Sequence, residues 1–356
     1  MQWAKIHVHV KYNLAVSGVP NYPLSELPVR LGDLEITGNS YYGYEPLQQT
    51  IAQKYDVKTD QVFSTIGTSL ANHIAIATML RSGDDILIEQ PTYELLISTA
   101  QYLGAKVNRF RRHYENGFQI DPDDIRHAIT PKTKLIVLTN LHNPSSVLTD
   151  EKTLNEIGKI ARDIRAYVLV DEVYLDAAFD LTLRSSIHLG DEFIVTNSLT
   201  KVYGLSGLRC GWVLAKPELI QKMWYLNDLF EVVPPHPSEL LSVIAFKNLD
   251  KIAAYARSLL AANRNTLTEF LKKRGDLGYI QPDFGTVLFP RLKVGDVDKL
   301  SDLLLRKYET AIAPGRYFEM PNHFRIGLSC KPEIFQTGLA NIGKALDELH
   351  RTDSKR

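Results

Sequence analysis

The segment between residues 197 and 212 combines the residue types that a covalent cofactor site requires. Lys201 follows a hydroxyl-rich turn, and Arg209 lies eight positions beyond it among three glycines. A lysine amine forms a Schiff base with an aldehyde, while hydroxyl groups and a guanidinium donate hydrogen bonds to a phosphate dianion. The glycines let the backbone come close to a ligand. The segment therefore predicts a site for an aldehyde that carries a phosphate. The alternative is a buried Lys–Arg turn between two strands.

Polar residues also follow two of the predicted strands. Asp171 ends the apolar run 168–170, Tyr174 comes three residues later, and Asn143 lies just after the run 134–139. Ligands of open α/β sheets lie beyond the carboxyl ends of the strands. A buried carboxylate at such an end can pair with a protonated pyridine nitrogen and keep it charged. Alternatively, Asp171 caps a helix, Tyr174 packs in the core and Asn143 belongs to a common Asn-Pro turn.

A turn of small residues precedes the helix that we predict over residues 69–80. It consists of Gly67, Thr68 and Ser69. Unpaired backbone N–H groups and the helix dipole bind phosphate at such a position. The same turn also fits an ordinary helix cap, so its meaning depends on the other motifs.

Taken in order along nearly the whole chain, these motifs resemble those of class I/II (fold-type I) aminotransferases. The resemblance implies pyridoxal 5′-phosphate as the cofactor, with Lys201 as its Schiff-base lysine and Asp171 at its ring nitrogen. It implies that Tyr174 and Asn143 lie at the ring 3′-oxygen and that Tyr93 stacks on the ring. It assigns the cofactor phosphate to Gly67, Thr68, Ser69, Ser198, Thr200 and Arg209.

The resemblance also implies a substrate site. Arg325 would hold the α-carboxylate of the substrate through two parallel hydrogen bonds, with Gly18 and Asn143 near the same carboxylate. The alternative for Arg325 is a surface salt bridge. The family motif usually reads Asn-Pro-Thr-Gly, whereas Ser145 and Ser146 stand at the last two positions here. The family role of Asn143 carries over to this chain. The conformation of the loop after Asn143 is not predicted by the resemblance.

The segment 39–47 resembles the family segment that starts with a tyrosine and leads into a helix. In the family, that tyrosine reaches the cofactor phosphate of the neighbouring subunit. Tyr41 and Tyr42 both fit this position, and we favour Tyr41. The resemblance therefore implies a homodimer with shared active sites.

The implied reaction is transfer of an amino group from an L-amino acid to a 2-oxo acid, with Lys201 as the general base and with Asp171 and Tyr174 as further catalytic groups. Two alternatives stay open: a lyase or decarboxylase on the same fold, and a non-catalytic regulatory protein that binds the cofactor. No arginine occurs between Arg209 and Arg257. A loop in this region that approached the neighbouring site would lack a guanidinium for a second substrate carboxylate. This weakens the case for an aspartate or glutamate specialist.

Composition limits the remaining classes of function. The 356 residues are 44% hydrophobic and 23% charged, which is typical of a soluble globular protein. The chain has a formal net charge of +0 and therefore lacks the excess of basic residues that is typical of a nucleic-acid-binding protein. Cys210 and Cys330 are too few for a disulfide framework and lack metal-ligand spacing, which favours a reducing compartment. Neither a signal core nor a bilayer-length apolar run occurs, so we expect a soluble cytoplasmic protein without membrane partners.

Several apolar runs predict buried strands, at 85–88, 134–139, 167–171, 193–196 and 212–215. They do not alternate polar with apolar residues, which indicates cover on both faces, as in a parallel sheet. Helical stripes separate them, including one over 154–164 with Asp150 as a plausible N-cap. The pattern predicts an α/β protein with a mostly parallel sheet between two helical layers.

The C-terminal third predicts a different arrangement. Residues 217–273 read as helical with a break at 233–237, short strands follow near 286–292 and 324–329, and an amphipathic helix closes the chain. The family resemblance implies a large cofactor-binding domain over 40–240. It implies a smaller α+β domain formed by 1–39 together with 241–356.

Overall fold

The computed structural model describes residues 2–6, 9–38 and 41–353. The first elements are α1 (Gln2–Ile6), β1 (Tyr12–Asn13) and α2 (Glu45–Tyr55). The predicted domain boundary between residues 39 and 40 lies outside the described residues. Within the described ranges, no helix has both the length and the apolar character needed to cross a bilayer.

A seven-stranded sheet occupies the centre of the described chain. Its strands are β2 (Val62–Ile66), β3 (Asp85–Gln90), β4 (Lys106–Arg111), β5 (Thr133–Thr139), β6 (Tyr167–Asp171), β7 (Phe193–Ser198) and β8 (Cys210–Leu214). The strand order is β2-β8-β7-β6-β5-β3-β4. Neighbouring strands run parallel except that β8 is antiparallel to β2 and β7. This confirms the predicted mostly parallel sheet.

All five strands predicted from apolar runs lie in this sheet, and its two edge strands were not predicted. β4 exposes polar residues and fully buries only Phe110, so it lacks a continuous apolar run. β2 interrupts its apolar residues with Ser64 and Thr65, which are nevertheless buried. Burial of the edge strands β2 and β4 therefore depends on neighbouring elements. A search for continuous apolar runs does not detect this.

Helices cover both faces of the sheet. Those that follow β2 to β5 are α3 (Thr68–Met79), α4 (Glu94–Tyr102), α5 (Pro122–Ala128) and α6 (Glu151–Asp163). Ile74 packs with Ile88 and Val137 on one face, whereas Ile157 packs with Ile136 on the other. Successive strand residues point to opposite faces, so the apolar runs supply two cores. The predicted three-layer α/β arrangement is confirmed.

The predicted N-cap of α6 is also confirmed, because the carboxylate of Asp150 accepts a hydrogen bond of 2.7 Å from the backbone N–H of Thr153. This bond satisfies one of the unpaired donors at the helix start.

The C-terminal region contains longer helices and short strands. They are α7 (Pro217–Asn227), α8 (His236–Lys247), α9 (Leu249–Lys272), β9 (Leu277–Gly278), β10 (Val287–Leu288), β11 (Arg291–Leu292), α10 (Val297–Tyr308), β12 (Thr310–Ala311), β13 (Ala313–Pro314), β14 (Phe324–Gly327) and α11 (Pro332–Asp353). The predicted break at 233–237 overlaps the segment between α7 and α8, although its last two residues, His236 and Pro237, already belong to the first turn of α8. β14 pairs antiparallel with β10 and β13, and β1 pairs parallel with β12. The start of the chain is thus joined to its C-terminal third.

Candidate active site

The predicted cofactor residues Asp171 and Lys201 lie at one edge of the large sheet. Asp171 is the last residue of β6 and pairs with Thr196 of β7. Lys201 follows β7 by three residues, and an attractive electrostatic interaction links its ammonium to Asp171. Parallel strands present their carboxyl ends at the same edge, which is why residues 30 positions apart come together here.

The carboxylate of Asp171 is buried, and two hydrogen bonds stabilise its charge. The side-chain amide of Asn72 donates to one oxygen at 2.8 Å, and the backbone N–H of Val173 donates to the other at 3.1 Å. Burial raises the pKa of Asp171 to about 6, although both hydrogen bonds and Lys201 oppose that rise. A cation placed against this carboxylate would compensate for its lost hydration.

Asn72 is a site residue that the sequence analysis missed. It lies on α3, four residues after Thr68, and its own carbonyl oxygen accepts a hydrogen bond of 2.6 Å from the hydroxyl of Thr196. Residues four apart share one helix face. Its spacing from the predicted phosphate-binding turn was therefore a usable signal.

The amine of Lys201 lies in a chain of hydroxyl groups. Its Nζ donates to the Ser17 hydroxyl at 3.3 Å, and that hydroxyl lies 2.7 Å from the phenol oxygen of Tyr174. The carbonyl of Lys201 accepts from the backbone N–H of Val19 at 2.7 Å. A Cβ on Gly18 would lie 3.4 Å from Cδ of Lys201, so Gly18 packs against the stem of the lysine. Ser17 was not among the predicted residues.

Arg325 is buried, and only part of its guanidinium has a partner. Nη1 donates to the side-chain oxygen of Asn143 and Nη2 donates to the carbonyl of Ala15, each at 2.9 Å. The guanidinium also lies over the ring of Phe318, at 5.0 Å from its centroid. Among the described residues, Nε has no hydrogen-bond partner. Burial lowers the pKa of Arg325, and a carboxylate ligand would satisfy the unpaired donors.

The predicted phosphate-binding turn lies against Arg209. Gly67 precedes the first turn of α3 with φ of 89°, and a Cβ at this position would lie 2.6 Å from Nη2 of Arg209. In the described chain, the side-chain hydroxyls of Thr68 and Thr200 are buried without a hydrogen-bond partner. Ser69 follows Thr68 on α3, and the Ser198 hydroxyl accepts from the backbone N–H of Thr200 at 3.3 Å.

These features fit pyridoxal 5′-phosphate. The helix start, the unpaired Thr68 and Thr200 hydroxyls and the Arg209 guanidinium offer donors to a dianion. At the other end, the buried carboxylate of Asp171 would accept a hydrogen bond from a protonated ring nitrogen. Lys201 lies within electrostatic reach of that carboxylate. The donors near Arg209 thus fit the phosphate, and the acceptor Asp171 fits the ring nitrogen.

The predicted tyrosines have different environments. Tyr93 is largely buried, and burial with the nearby Tyr174 and Asp171 raises its pKa. Tyr41 is 76% exposed and lines a surface cleft of about 960 Å³. Tyr42 lines the same cleft, donates to the carboxylate of Asp228 at 2.8 Å and is less exposed, at 46%. Tyr93 therefore lies beside the residues of the predicted site within this chain, whereas Tyr41 and Tyr42 face outward.

Comparisons with known proteins agree with this geometry. A family model described as Aminotransferase class I and II matches residues 35–342. The chain is similar to a capreomycidine synthase of Streptomyces vinaceus, with 28% identity over 353 residues that cover 96% of this chain and 91% of the relative. It is also similar to a probable aspartate/prephenate aminotransferase of Aquifex aeolicus, with 24% identity over 325 residues that cover 86% of this chain and 82% of the relative.

Among solved structures, a PLP-dependent aminotransferase from Streptococcus suis superposes with a TM-score of 0.92 at 26% identity. The alignment covers 98% of this chain and 96% of that chain. The region matched by the family model contains every strand of the seven-stranded sheet. The matched region therefore includes the elements that carry Asp171, Lys201 and Arg325, whereas Ser17 and Gly18 precede it.

Proposed function

The chain belongs to the class I and II aminotransferase family and is a pyridoxal-phosphate-dependent aminotransferase, and from this premise we propose the roles of its site residues and the class of its substrate. Lys201 carries the cofactor and moves the proton, Asp171 supports the cofactor ring, and Arg325 binds the α-carboxylate of the amino acid. The observation that carries this assignment is the convergence of Asp171 and Lys201 at one sheet edge.

The bound cofactor supplies an electron sink for the Cα–H bond of the substrate. Asp171, which accepts a hydrogen bond from the amide of Asn72, would stabilise the protonated form of the ring nitrogen. Tyr174 and Asn143 would bind the ring 3′-oxygen, and Tyr93 would stack on the ring. The turn Gly67, Thr68 and Ser69 would hold the phosphate together with Ser198, Thr200 and Arg209.

Lys201 acts as the general base. Its Nζ takes the proton from Cα of the substrate once the amine is free of the cofactor. The hydroxyl of Ser17, 3.3 Å from this nitrogen, fixes the direction of the amine. Arg325 presents Nε and Nη donors to the carboxylate, and Asn143 and the carbonyl of Ala15 fix the plane of the guanidinium. Gly18 leaves space beside the lysine stem.

We propose a substrate whose side chain does not end in a carboxylate. Residues 228–235, between α7 and α8, contain no arginine. They contain Glu231, which accepts a hydrogen bond from the hydroxyl of Thr65, two residues before Gly67. Burial raises the pKa of Glu231, although hydrogen bonds from the Thr65 hydroxyl and the backbone of Ile66 oppose the rise. A second substrate carboxylate approaching this segment would find no guanidinium there to pair with.

The test is a half-reaction screen of single L-amino acids against the cofactor-loaded protein. Transamination converts one equivalent of amino acid into its 2-oxo acid and leaves one equivalent of pyridoxamine phosphate. Lys201→Ala is expected to abolish the visible absorbance of lysine-bound cofactor and to slow turnover by at least about 100-fold. Visible absorbance that borohydride still fixes onto Lys201→Ala protein would assign the cofactor to another lysine.

The second candidate is elimination or decarboxylation, or a related synthase reaction, at the same site. It is favoured by the similarity to a protein named as a synthase rather than an aminotransferase. The same screen separates the two, because consumption of the amino acid without formation of pyridoxamine phosphate, with or without release of ammonia or carbon dioxide, would select this alternative.

We also propose a homodimer in which Tyr41 reaches the cofactor phosphate of the neighbouring subunit. The 76% exposure of Tyr41 and its position on a large surface cleft support this assignment. The proposed domains are 40–240 and 1–39 with 241–356. The pairing of β1 with β12 supports grouping the N-terminal segment with the C-terminal third.

A cytoplasmic location is the final part of the proposal. Its support is that Cys210 and Cys330 are both free thiols, as expected in a reducing compartment. Recovery of the enzyme in the soluble cytoplasmic fraction would be the expected result, and recovery outside the cell would contradict it.

A further inference from the structure

The loop between β5 and α6 departs from the usual family motif at Ser146. It is buried along most of its length, and Asn143, Ser145 and Ser146 are each 5% exposed or less. Ser146 has φ of 62°, a backbone conformation that glycine adopts readily and serine does not. Because this conformation is strained for serine, we expect Ser146 to make contacts that offset the strain.

The hydroxyl of Ser146 binds the backbone of a distant strand. It donates to the carbonyl of Val287 at 2.9 Å and accepts from the N–H of the same residue at 3.4 Å. Val287 lies on β10, an edge strand of its three-stranded sheet, so its outward backbone groups need a partner. One side chain thus supplies both bonds.

The strand side of this contact has space for the hydroxyl. Gly285 has φ of 94°, and a Cβ at this position would collide with the Ser146 hydroxyl and Cβ. Serine at 146 and glycine at 285 are therefore structurally matched. Neither residue belongs to the cofactor or substrate set described above.

Two connections lead from this loop to Arg325. The direct one is the hydrogen bond of 2.9 Å from Nη1 of Arg325 to Asn143, three residues before Ser146. The second runs through Ser146 to Val287, which pairs with Gly327 on β14, the strand that carries Arg325. The loop therefore contacts both the guanidinium and the neighbouring strand of the arginine.

We propose that Ser146 is a positioning residue for recognition of the substrate α-carboxylate. Its hydroxyl fixes the spacing between the Asn143 loop and β10–β14, and so fixes where the Arg325 guanidinium points. This inference rests on the proposed role of Arg325. Ser146 itself touches neither substrate nor cofactor.

The test compares Ser146→Ala with Ser146→Gly in the cofactor-loaded enzyme. Both variants lose the two bonds to Val287, and only glycine relieves the backbone strain at φ of 62°. We expect both to bind propionate about 3- to 10-fold more weakly, which corresponds to the loss of about one hydrogen bond. Propionate titration is followed by the visible spectrum. KM for the amino acid is expected to rise by a similar factor, with kcat changed less than about 2-fold.

Thermal stability separates positioning from general loosening. Ser146→Gly is expected to melt at a higher temperature than Ser146→Ala, although both bind propionate equally weakly. Affinity that follows the melting temperature, or wild-type propionate binding in both variants, would overturn the inference. Ser301→Ala removes another buried serine hydroxyl, on α10, and is expected to leave propionate binding unchanged.

Two further variants complete the design. Gly285→Ala displaces the Ser146 hydroxyl from the strand side and is expected to weaken propionate binding as well, so the inference is testable even if a Ser146 variant fails to fold. Arg325→Lys tests the underlying role. Unchanged propionate binding in Arg325→Lys would contradict the proposed substrate site, whereas weaker binding there with normal binding in both Ser146 variants would contradict the Ser146 inference alone.

Discussion

At the scale of single residues, the charge state of Asp171 depends on the groups that surround it. Burial raises its pKa to about 6, whereas the amide of Asn72, the N–H of Val173 and the charge of Lys201 act in the opposite direction. The Thr196 hydroxyl in turn bonds the oxygen of Asn72, so the amide must present its N–H₂ group to Asp171. This chain of bonds favours the ionised carboxylate that a cationic ring nitrogen requires.

Asn72→Ala is expected to weaken cofactor binding and turnover. Loss of the amide donor raises the pKa of Asp171 further, so a larger fraction of the carboxyl group is protonated near neutral pH. A hydrogen bond to a charged group contributes about 1.5–3 kcal/mol, so the half-saturation concentration for pyridoxal phosphate should increase roughly 10-fold or more. The measurement is a cofactor titration of the apo-protein, followed by kcat at saturation.

The control for this prediction is Thr196→Val. It leaves the amide of Asn72 in place and removes only the hydroxyl that orients it. Its effect should have the same sign and be smaller. Equal cofactor affinity in Asn72→Ala and wild type would show that Asp171 does not depend on the amide.

At the scale of elements, the junction between β2 and α3 requires glycine for two separate reasons. Gly67 has φ of 89°, and a Cβ would also meet the Arg209 guanidinium at 2.6 Å. Gly83 has the same φ of 89° with no heavy atom within 4 Å of a Cβ. The two positions therefore share the backbone strain and differ in the contact.

Gly67→Ala and Gly83→Ala should consequently differ in cofactor binding. Both are expected to lose about 1–3 kcal/mol of unfolding free energy, because alanine is strained at this φ. Only Gly67→Ala should displace Arg209 and weaken pyridoxal-phosphate binding. Urea unfolding and cofactor titration of both variants make the comparison, and equal loss of affinity in the two would refute the role of the Arg209 contact.

The turn after β6 contains a second buried acid, Glu172, that the proposed reaction does not use. Its oxygens accept from the Ser185 hydroxyl and from the backbone N–H of Ser186, each at 2.7 Å. Burial nevertheless raises the pKa of Glu172 from 4.5 to about 7. The folded state therefore retains a proton between about pH 4.5 and 7 that the unfolded state has released.

It follows that Glu172 makes the protein less stable as pH rises through this window, by at most roughly 3 kcal/mol. Glu172→Gln cannot ionise, and its amide can still bond both serines. The difference in unfolding free energy, variant minus wild type, should increase from pH 4.5 to 7 and then level off. Urea unfolding at several pH values checks this, and parallel curves for the two proteins would contradict the raised pKa.

At the scale of the whole molecule, sequence patterns predicted some features and did not predict others, and both outcomes have physical reasons. The five central strands were predictable because both of their faces are buried. Lys201, Asp171 and Arg325 were predictable as candidates because ionisable groups next to buried strands or glycine turns are chemically conspicuous. Ser17 was missed because a single hydroxyl has no distinctive pattern, whereas Asn72 was missed although its spacing of four residues from Thr68 was a usable signal.

Contacts between distant parts of the chain limited the prediction most. The Ser17 hydroxyl meets Tyr174 across 157 positions of sequence, and Ser146 meets Val287 across 141. No local periodicity encodes such pairs. The resemblance to a family supplied the order of the motifs, and only the three-dimensional structure supplied these bonds.

The proposed contact of Tyr41 with a neighbouring subunit is also a long-range feature, and mixed dimers test it. Tyr41→Phe homodimers should bind pyridoxal phosphate about 10- to 100-fold more weakly, because a hydrogen bond to a charged phosphate is lost. In a hybrid of Tyr41→Phe with Lys201→Ala, the site that keeps Lys201 receives an intact Tyr41 from the other chain. Borohydride trapping of cofactor on Lys201 in this hybrid should therefore show wild-type affinity. Tyr42→Phe serves as the matched variant, and weak trapping in the Tyr41 hybrid would mean that Tyr41 acts within its own chain.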